Sequence, residues 1–456
     1  MAKVHLTSLG CPKNRVDAEH MLGLALSAGH ELVSSIDDAD TLVVNTCAFI
    51  NDAKEESINT ILEMAQIKEL SGGTKKLIVT GCLAQRYSKD LEVEIPEVDH
   101  FFGTSDYAQI NQILGDALAK PRDPLVKLSR KPAKNLVSTE LAYIEKFDLP
   151  RVNTSPSFSA YLRISEGCDN ACAFCIIPKL RGKQRSRPID DLVKEAKFLA
   201  KTGVMELNLI GQDLTAYGFD LPGRPSLGEL LVELSQVEGI RWIRQMYAYP
   251  RTFRDNYFAA FSNKNVLPYL DMPTQHGSAN VLRLMKRGGS KERLNDIIKS
   301  LRDNVEGLVL RTTVMVGFPG ETHEDFLELC DFVRENNFDR MGVFKYSNEE
   351  NTKAFDFGDQ VDEAIKEERF HALMKIQRKI SAKKMKKMIG TVQEAVVEGA
   401  SDEHELLVKG RLWSQAPDID GITYITSNTT LRVGQVVKVK ILESHDYDLS
   451  GEVVED

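Results

Sequence analysis

Short apolar runs alternate with helical patterns along most of this 456-residue chain. Three runs in its first part read as strands, VHLTSLGC, TLVVNTC and KLIVTGC, with helical segments around Asp17–Ala28 and Asp52–Leu70 between them. Six later runs alternate with amphipathic helices in the same way, SAYLRIS, VMELNLIG, IRWIRQMYAY, LPYLDMP, LVLRTTVMVGF and RMGVFKYS. Because a strand–helix–strand repeat places successive strands parallel and adjacent, this alternation predicts two α/β domains with parallel sheets.

Three cysteines lie in the run GCDNACAFC with the spacing C-x3-C-x2-C: Cys168, Cys172 and Cys175. We call them the second cysteine set, because another three cysteines precede them in the chain. Four-iron clusters are normally held by four thiolates, so three ligands leave one iron open to another molecule. The amino and carboxylate groups of S-adenosylmethionine suit that open iron, and reductive cleavage to a 5'-deoxyadenosyl radical needs this arrangement. The spacing resembles the radical S-adenosylmethionine superfamily.

A zinc site and inert thiols are the alternatives for this loop. Structural zinc sites usually have a second pair of ligands close by. The next cysteine downstream is Cys330, and no histidine lies between Cys175 and His276. The spacing therefore favours an iron–sulfur cluster.

Cys11, Cys47 and Cys82, which we call the first cysteine set, are almost evenly spaced, with thirty-five and thirty-four residues between them. Each ends one of the three predicted strands at a turn. Adjacent parallel strands bring their carboxyl ends to one edge of the sheet, where open α/β sheets bind ligands. The three thiols can therefore converge on one metal centre. Three buried, inert cysteines are the alternative, because a free cysteine packs as a small hydrophobic residue.

The stretches SLGCPKNRVDAEHMLG, VNTCAFINDAKEES and GCLAQRY resemble the amino-terminal domain of the methylthiotransferase family. The resemblance implies two [4Fe-4S] clusters, one held by each cysteine set, the first serving as the sulfur centre and the second as the radical centre. It also implies S-adenosyl-L-methionine as a cofactor. The seventh cysteine, Cys330, lies in the helical pattern EDFLELCDFVREN and is expected to be a core residue.

The same resemblance implies further contacts to S-adenosylmethionine. It places Phe174 near the adenine, Gly211, Gln212 and Asp213 of LIGQDLTAYG at the methionine end, and Gly317 of VGFPGET in a second glycine turn. Glycine at a strand end permits close approach of a ligand to the backbone. Ordinary packing of an apolar loop residue and ordinary turn glycines are the alternatives.

The basic segment KLRGKQRSR (Lys179–Arg187) directly follows the second cysteine set. It could screen the cluster and the carboxylate of the cofactor, or bind the substrate; a solvated loop is the alternative. His276 in TQHGS follows the fourth central strand and is expected to be a structural histidine rather than a general base, because radical hydrogen abstraction does not require one. No catalytic residue is assigned.

The patterns divide the chain into four segments. Residues 1–120 are predicted to form the N-terminal parallel βα domain, and 121–156, rich in proline, a linker, with a loosely packed hairpin as the alternative. Residues 157–386 are expected to form a partial (βα)6 barrel with its active site at the strand carboxyl ends. Residues 387–456 show short alternating strands that predict a small all-β barrel, which resembles the TRAM domain that closes methylthiotransferases.

Charge and composition limit the class of protein. The net charge is −9 and the sequence pI is about 5.7, which disfavours a large nucleic-acid footprint. No run of eighteen apolar residues predicts a membrane span, and the amino-terminal run reads as a strand rather than a signal peptide. Thiolates that must bind metal imply a reducing compartment, so we expect a cytoplasmic protein.

Members of the methylthiotransferase family modify either an adenosine of transfer RNA or an aspartate of protein twelve of the small ribosomal subunit. The runs CPKN, NTCAFINDAKEES and DYDLSGEV resemble the second branch. The final segment, from Thr391 to Asp456, has thirteen acidic and five basic residues. An RNA-binding barrel should be basic, whereas an acidic barrel suits a basic protein such as a ribosomal protein. We expect its acids, among them Asp418, Asp420, Asp446 and Asp448, to face that partner.

The resemblance therefore implies a sulfur-transferring enzyme that adds a methylthio group at the β-carbon of the aspartate. The alternative substrate is the transfer-RNA adenosine. Expected partners are the ribosomal protein, free or within the assembled subunit, and a small electron donor such as a flavodoxin. No membrane is expected to take part, and nucleic acid only as part of the ribosome. An electron carrier and a simple radical methylase with a vestigial first domain are the alternatives from other classes.

Overall fold

The computed structural model describes residues 1–117, 134–251, 253, 255–401 and 407–454. The strands of these residues are β1 (Lys3–Ser8), β2 (Glu31–Leu32), β3 (Thr41–Thr46), β4 (Lys76–Gly81), β5 (His100–Phe102), β6 (Lys134–Asn135), β7 (Ser159–Arg163), β8 (Ser165–Glu166), β9 (Arg185–Ser186), β10 (Glu206–Ile210), β11 (Trp242–Gln245), β12 (Val266–Asp271), β13 (Val309–Val316), β14 (Arg340–Lys345), β15 (Val392–Ala400), β16 (Val408–Leu412), β17 (Thr423–Thr426), β18 (Val436–Ser444) and β19 (Leu449–Val453).

The α-helices of the same residues are α1 (Pro12–Ser27), α2 (Asn51–Leu70), α3 (Cys82–Glu94), α4 (Ile110–Ala117), α5 (Ile177–Arg181), α6 (Ile189–Lys201), α7 (Leu227–Ser235), α8 (Asp255–Ala259), α9 (Ala279–Leu284), α10 (Lys291–Asn304), α11 (His323–Asn336) and α12 (Glu363–Lys386). Within the described ranges, none of these helices is both long and apolar enough to cross a membrane.

The chain divides into two compact units. The first contains Met1–Thr154, Ser165–Asp169 and Ile176–Arg187. The second contains Ser155–Ile164, Asn170–Cys175 and Pro188–Asp456. The part of the predicted linker from 121 to 133 lies outside the described residues, and its part from 134 to 154 belongs to the first unit.

The first unit is built on a parallel sheet with the strand order β2-β1-β3-β4-β5-β6. The central strand β3 is buried along its whole length. Leu42 and Val44 pack into one apolar cluster and Val43 into another, because successive side chains of a strand point to opposite faces. The predicted parallel βα domain is thus confirmed.

The second unit contains an open sheet of six parallel strands in the order β14-β13-β12-β11-β10-β7. Five of these strands fall within the apolar runs named above, β12 begins one residue before its run, and helices follow the strands as predicted. Side chains from both the strands and the helices form one large apolar core, to which Cys330 of α11 contributes as expected. An open sheet of six βα repeats is the predicted incomplete barrel.

Residues after α12 form a closed five-stranded barrel with the order β15-β16-β17-β19-β18, as predicted for an all-β domain. Its interior is apolar, with Ala395, Val397 and Val439 buried. A buried ion network joins this barrel to the central sheet within the second unit. Arg411 of β16 lies 2.6 Å from Glu206 of β10, and that carboxylate also accepts from Arg244 at 2.9 Å.

Two acids that were expected to face a partner also join the barrel to the sheet. Asp420 accepts a hydrogen bond from the Tyr269 hydroxyl at 2.8 Å, and Asp418 accepts one from the Tyr161 hydroxyl at 3.3 Å. Both tyrosines belong to central strands. The side chain of Asp420 is 1% exposed, so the expectation that it faces an outside partner is wrong, because its carboxylate is used in internal packing. Asp418 is exposed, and its contact with a partner remains a prediction.

Candidate functional site

The first cysteine set lies at one edge of the sheet of the first unit. Cys11 directly precedes helix α1, Cys47 directly follows β3, and Cys82 begins helix α3 after β4. The three strands that lead to them, β1, β3 and β4, are neighbours in the sheet and parallel. The carboxyl ends of three adjacent strands therefore present the three thiols, as the spacing predicted.

Two glycines allow these strand ends to approach each other. Gly10 has a φ of +86°, and a Cβ on it would lie 2.7 Å from the Cβ of Cys47. Gly81 has a φ of +92°, and a Cβ there would lie 2.5 Å from the carbonyl oxygen of Thr46. Any other residue at either position would clash and adopt an unfavourable backbone conformation. The Gly-Cys pairs at 10–11 and 81–82 are thus a signal in the sequence for a crowded thiol site.

The electrostatics of the first cysteine set suit a bound cation. Burial raises the pKa of Cys47, and the charge of Cys11 adds to the effect. Burial likewise raises the pKa of Cys82 to about 12, opposed by Arg181 and reinforced by the charges of Cys47 and Cys11. Thiols so close to one another are stable as thiolates when a metal supplies positive charge.

The donor set itself fits an iron–sulfur cluster, since thiolates are the usual ligands of such clusters. Among the described residues, no three His, Cys, Asp or Glu side chains are already arranged as a metal site. The fit thus rests on the chemistry and the location of the thiols.

Asn14 and Arg181 line the first cysteine set. The Asn14 amide nitrogen donates to the carbonyl oxygens of Leu9 and Thr46, which holds two strand ends together. Arg181 is almost completely buried, and its Nη2 lies 3.7 Å from the sulfur of Cys82. Arg181 of the basic segment Lys179–Arg187 is therefore not a solvated residue but lies buried beside the first cysteine set.

The second cysteine set is divided between the two units. Cys168 belongs to the first unit, and its amide donates to the carbonyl of Gly182 at 3.1 Å. Gly167 before it has a φ of +82°, and a Cβ there would lie 2.0 Å from the carbonyl oxygen of Lys183. The backbone that carries Cys168 is thus fixed against the segment that follows the loop.

Cys172 and Cys175 belong to the second unit. The amide of Cys175 donates to the carbonyl of Cys172 at 3.2 Å, which closes a tight turn. Between them, the Ala173 amide donates to Met285 at 2.8 Å, and its carbonyl accepts from the amide of Ala354 at 2.9 Å. The tip of the loop is therefore held by two distant segments.

Arg287 is the functional candidate that sequence reasoning missed at this set. Its Nη1 lies 3.6 Å from the sulfur of Cys172, and its guanidinium stacks 4.3 Å from the ring centre of Tyr249. The Tyr249 hydroxyl in turn donates to the carbonyl of Arg287 at 2.7 Å. Burial raises the pKa of Tyr249, so this hydroxyl remains a donor. Arg287 lies 115 residues after Cys172, and neither Arg287 nor Tyr249 belongs to a recognisable motif, so the sequence contains no signal for this contact.

Gly211, Gln212 and Asp213 follow the carboxyl end of β10, as expected. The Asp213 carboxylate accepts from the side-chain nitrogen of Asn170 at 2.8 Å and from Arg251 at 3.1 Å. Asn170 lies within the cysteine loop, so the structure brings Asp213 to that loop. Gly211 is buried and Gln212 is half-buried.

Phe174 and Gly317 have packing roles in the second unit. The Phe174 ring meets the Phe318 ring edge-on, with ring centres 6.4 Å apart. Gly317 has a φ of +74°, and a Cβ on it would lie 2.2 Å from a carbon of Lys366. Its amide donates to Glu321 at 2.6 Å. Packing alone thus requires glycine at 317, and the cofactor contacts of both residues remain predictions.

His276 is fully buried, and its Nδ1 accepts a hydrogen bond from the Ser278 amide at 2.9 Å. Burial lowers its pKa to about 3. The imidazole is therefore neutral and held at Nδ1, and the structural role expected from the sequence remains a prediction.

Three family models match the chain in succession. The Uncharacterized protein family UPF0004 matches residues 3–103, the Radical SAM superfamily 162–333 and the TRAM domain 389–454. Among solved structures, the radical S-adenosylmethionine methyltransferase TsrM from Kitasatospora setae is 13% identical, with a TM-score of 0.51 over 75% of this chain and 73% of that one. This likeness shows the fold alone.

Curated relatives match over nearly the whole chain. Ribosomal protein uS12 methylthiotransferase RimO of Myxococcus xanthus (strain DK1622) is 51% identical over 99% of this chain and 92% of its own. The protein of the same name from Anaeromyxobacter sp. (strain K) is 50% identical over 99% of this chain and 93% of its own. The chain therefore belongs to the family of ribosomal protein uS12 methylthiotransferases.

Proposed function

We propose that this protein is a radical S-adenosylmethionine enzyme that adds a methylthio group to the β-carbon of an aspartate in ribosomal protein uS12. Its family membership and the order of its three matched regions support this activity. The observation that carries the proposal is the first cysteine set at the edge of the first sheet. A simple radical methylase would have no use for three additional thiols there.

Each cysteine set would hold one [4Fe-4S] cluster. When bound, the two clusters and S-adenosylmethionine would supply the sulfur, the methyl group and the radical that can break an unactivated C–H bond. The chain's own part is to place and tune these groups. Gly10 and Gly81 let the first thiols approach each other, and Arg287 holds a positive charge beside Cys172.

We propose five further contacts to S-adenosylmethionine, at Phe174, Gly211, Gln212, Asp213 and Gly317. The hydrogen bond from Asn170 to Asp213 supports the middle three, because it joins the loop of the second set to the end of β10. Phe174 lies in that loop itself, beside Phe318. Since the Gly317 amide already donates to Glu321, its contribution would be the shape of the turn.

The proposed domains are 1–120, 121–156, 157–386 and 387–456. The three matched regions, 3–103, 162–333 and 389–454, each lie inside one of them. The second cysteine set falls in the third proposed domain, after its first strand β7, although the first compact unit includes Cys168.

The proposed partners are uS12, free or within the assembled small subunit, and a small electron donor such as a flavodoxin. The acidic final barrel supports a basic protein substrate over transfer RNA. Its acids that face solvent include Glu443, Asp446 and Glu452. Metal-binding thiolates need a reducing environment, which supports a location in the cytoplasm.

The experiment uses anaerobically reconstituted enzyme with S-adenosylmethionine, a sulfur source and a reductant. Small subunits, isolated uS12 and transfer RNA are incubated separately, and mass spectrometry measures the added methylthio group. We expect the added mass on uS12, located by fragmentation to an aspartate. The Cys330→Ala variant should act like the wild type, since this cysteine lies in the core. Methylthioadenosine in transfer RNA with unmodified uS12 would contradict the proposal.

A further inference from the structure

Arg181 connects the first cysteine set to the backbone that carries Cys168. Its guanidinium is buried in the first unit and lies 2.8 Å from Asp17 and 3.0 Å from Glu166. Glu166 is two residues before Cys168, whose amide is bonded to the residue directly after Arg181. One side chain thus reaches α1, α3 and the segment before the second set.

The contact with Cys82 has a direction that the chemistry fixes. Arginine has five N–H donors and no acceptor, so Arg181 can only donate to the sulfur. In the thiol form, the sulfur of Cys82 donates to the Asn14 side-chain oxygen at 3.7 Å. A metal-bound sulfur has no proton to donate but accepts hydrogen bonds well. Arg181, at 3.7 Å, is therefore the partner that suits Cys82 as a ligand.

A purely structural role for Arg181 does not account for this arrangement. Two carboxylates already exceed the single charge of the guanidinium, and a buried ion pair adds little net stability. The remaining hydrogen bond from Nη2 to Asn14, at 2.5 Å, holds the guanidinium beside the sulfur rather than away from it. The geometry keeps a positive charge at one ligand of the proposed first cluster.

We propose that Arg181 is a positioning residue of the first centre, which donates to the sulfur of Cys82 and raises the reduction potential of the cluster held there. The inference rests on the proposed function, since it requires a cluster at the first cysteine set. Hydrogen bonds to cluster sulfurs and nearby charges are the protein's means of setting such potentials. A positive charge stabilises the reduced, more negative cluster.

The test uses the full chain with Cys168, Cys172 and Cys175 changed to Ala, so that all cluster signals come from the first set. Redox titration followed by electron paramagnetic resonance gives the midpoint potential. We expect Arg181→Gln to lower this potential and Arg181→Lys to lower it less, because lysine retains the charge. Asp17→Asn should raise it, because a competing negative charge is lost.

Arg151→Gln is the matched control. Arg151 is also buried in the first unit, and its guanidinium pairs at 2.6 Å with Glu19 of the same helix, α1. Its loss should leave the midpoint potential unchanged. If the loss of a buried ion pair alone changed the midpoint potential, Arg151→Gln would change it as Arg181→Gln does. Such a loss would also not shift the potential in opposite directions for Arg181→Gln and Asp17→Asn.

Each outcome decides a separate point. Equal potentials in Arg181→Gln, Asp17→Asn and the parent would overturn the inference while leaving the first cluster in place. If Arg181→Gln fails to retain iron, Arg181→Lys and Asp17→Asn decide by the signs of their shifts. A parent protein that binds no iron after anaerobic reconstitution would instead contradict the first centre of the proposed function.

Discussion

Nη1 of Arg287 lies 3.6 Å from the sulfur of Cys172 in the second unit. In the first unit, Nη2 of Arg181 lies 3.7 Å from the sulfur of Cys82. Each cysteine set thus has a sulfur that faces a buried guanidinium from a distant part of the chain. Arginine is always charged and well suited to such buried contacts, whereas lysine would be more strongly hydrated.

Replacing Arg287 should impair the second centre. In Arg287→Gln, Cys172 loses a charged donor, so the cluster becomes harder to reduce. A hydrogen bond to a charged group is worth roughly 1.5–3 kcal/mol, which corresponds to about a tenfold or greater loss in the rate of reductive cleavage. The measurement is 5'-deoxyadenosine formed with excess dithionite and with a weaker reductant. The loss of rate in Arg287→Gln should be larger with the weaker reductant. Equal rates in the wild type and Arg287→Gln would contradict a role of Arg287 in setting the reduction potential.

Removing either cysteine set should halve the bound iron. The wild type is expected to bind about eight irons per chain, four at each set. Changing Cys11, Cys47 and Cys82 to Ala should leave reductive cleavage detectable and abolish methylthio transfer. Changing the second set should abolish cleavage itself. Cys330→Ala is the control and should retain all the iron. About four irons in the wild type would refute a cluster at the first cysteine set.

A single methyl group at Gly10 should disturb the first centre. In Gly10→Ala the new Cβ would lie 2.7 Å from the Cβ of Cys47, so the strand ends must move apart. We expect the iron of the first set to be lost and that of the second to remain. Gly29→Ala is the control, since Gly29 has a similar φ of +83° with no atom near its Cβ position. Equal iron in both variants would show that the close approach is not needed.

The alternation of apolar runs predicted the architecture because each buried parallel strand must be apolar on both faces, as β3 is. The thiols of the first set were predictable for a related reason, since Cys47 and Cys82 directly follow buried strands and Cys11 lies three residues after the end of β1. Two-residue strands such as β2 and β6 have no periodicity that a sequence can show. Arg181 and Arg287 were not predictable as cysteine partners, because packing brings them 99 and 115 residues along the chain to Cys82 and Cys172.

Breaking the Glu206–Arg411 pair should destabilise the second unit. Arg411→Met leaves a buried carboxylate short of one partner, which costs about 3–5 kcal/mol. Although burial opposes ionisation, Arg411 and Arg244 lower the pKa of Glu206 to about 2 from its ordinary 4.5. The ionised form is thus favoured on folding, so the stabilisation is complete above about pH 4.5 and is lost as the pH falls toward 2.

Urea unfolding at pH 7 and at about pH 3 measures this effect. The difference in the free energy of unfolding between the wild type and Arg411→Met should be smaller at the lower pH, where the charge of Glu206 stabilises the fold less. Arg241→Met is the control, because Arg241 pairs with Glu394 of the same barrel while both side chains remain nearly half exposed. Exposed pairs of this kind contribute roughly 0–1 kcal/mol. A pH-independent gap for Arg411→Met would contradict the assigned role of the Glu206 charge.

The acidic final barrel gives a prediction about the substrate. Asp418 and Asp420 are left out of the charge-reversed variant, because each also accepts a hydrogen bond from a tyrosine of the central sheet. Changing the exposed Glu443, Asp446 and Glu452 to Lys should weaken binding of the ribosomal substrate and reduce its dependence on salt, because these charges attract a basic protein through solvent. Cleavage of S-adenosylmethionine should be unchanged.

Binding of small subunits, isolated uS12 and transfer RNA is measured at two salt concentrations for wild type and variant. Asp420→Asn serves as the contrasting variant, expected to lower the unfolding midpoint without a change in salt dependence. Stronger binding of transfer RNA by the reversed variant, together with methylthioadenosine formed by the wild type, would favour the nucleic-acid substrate instead.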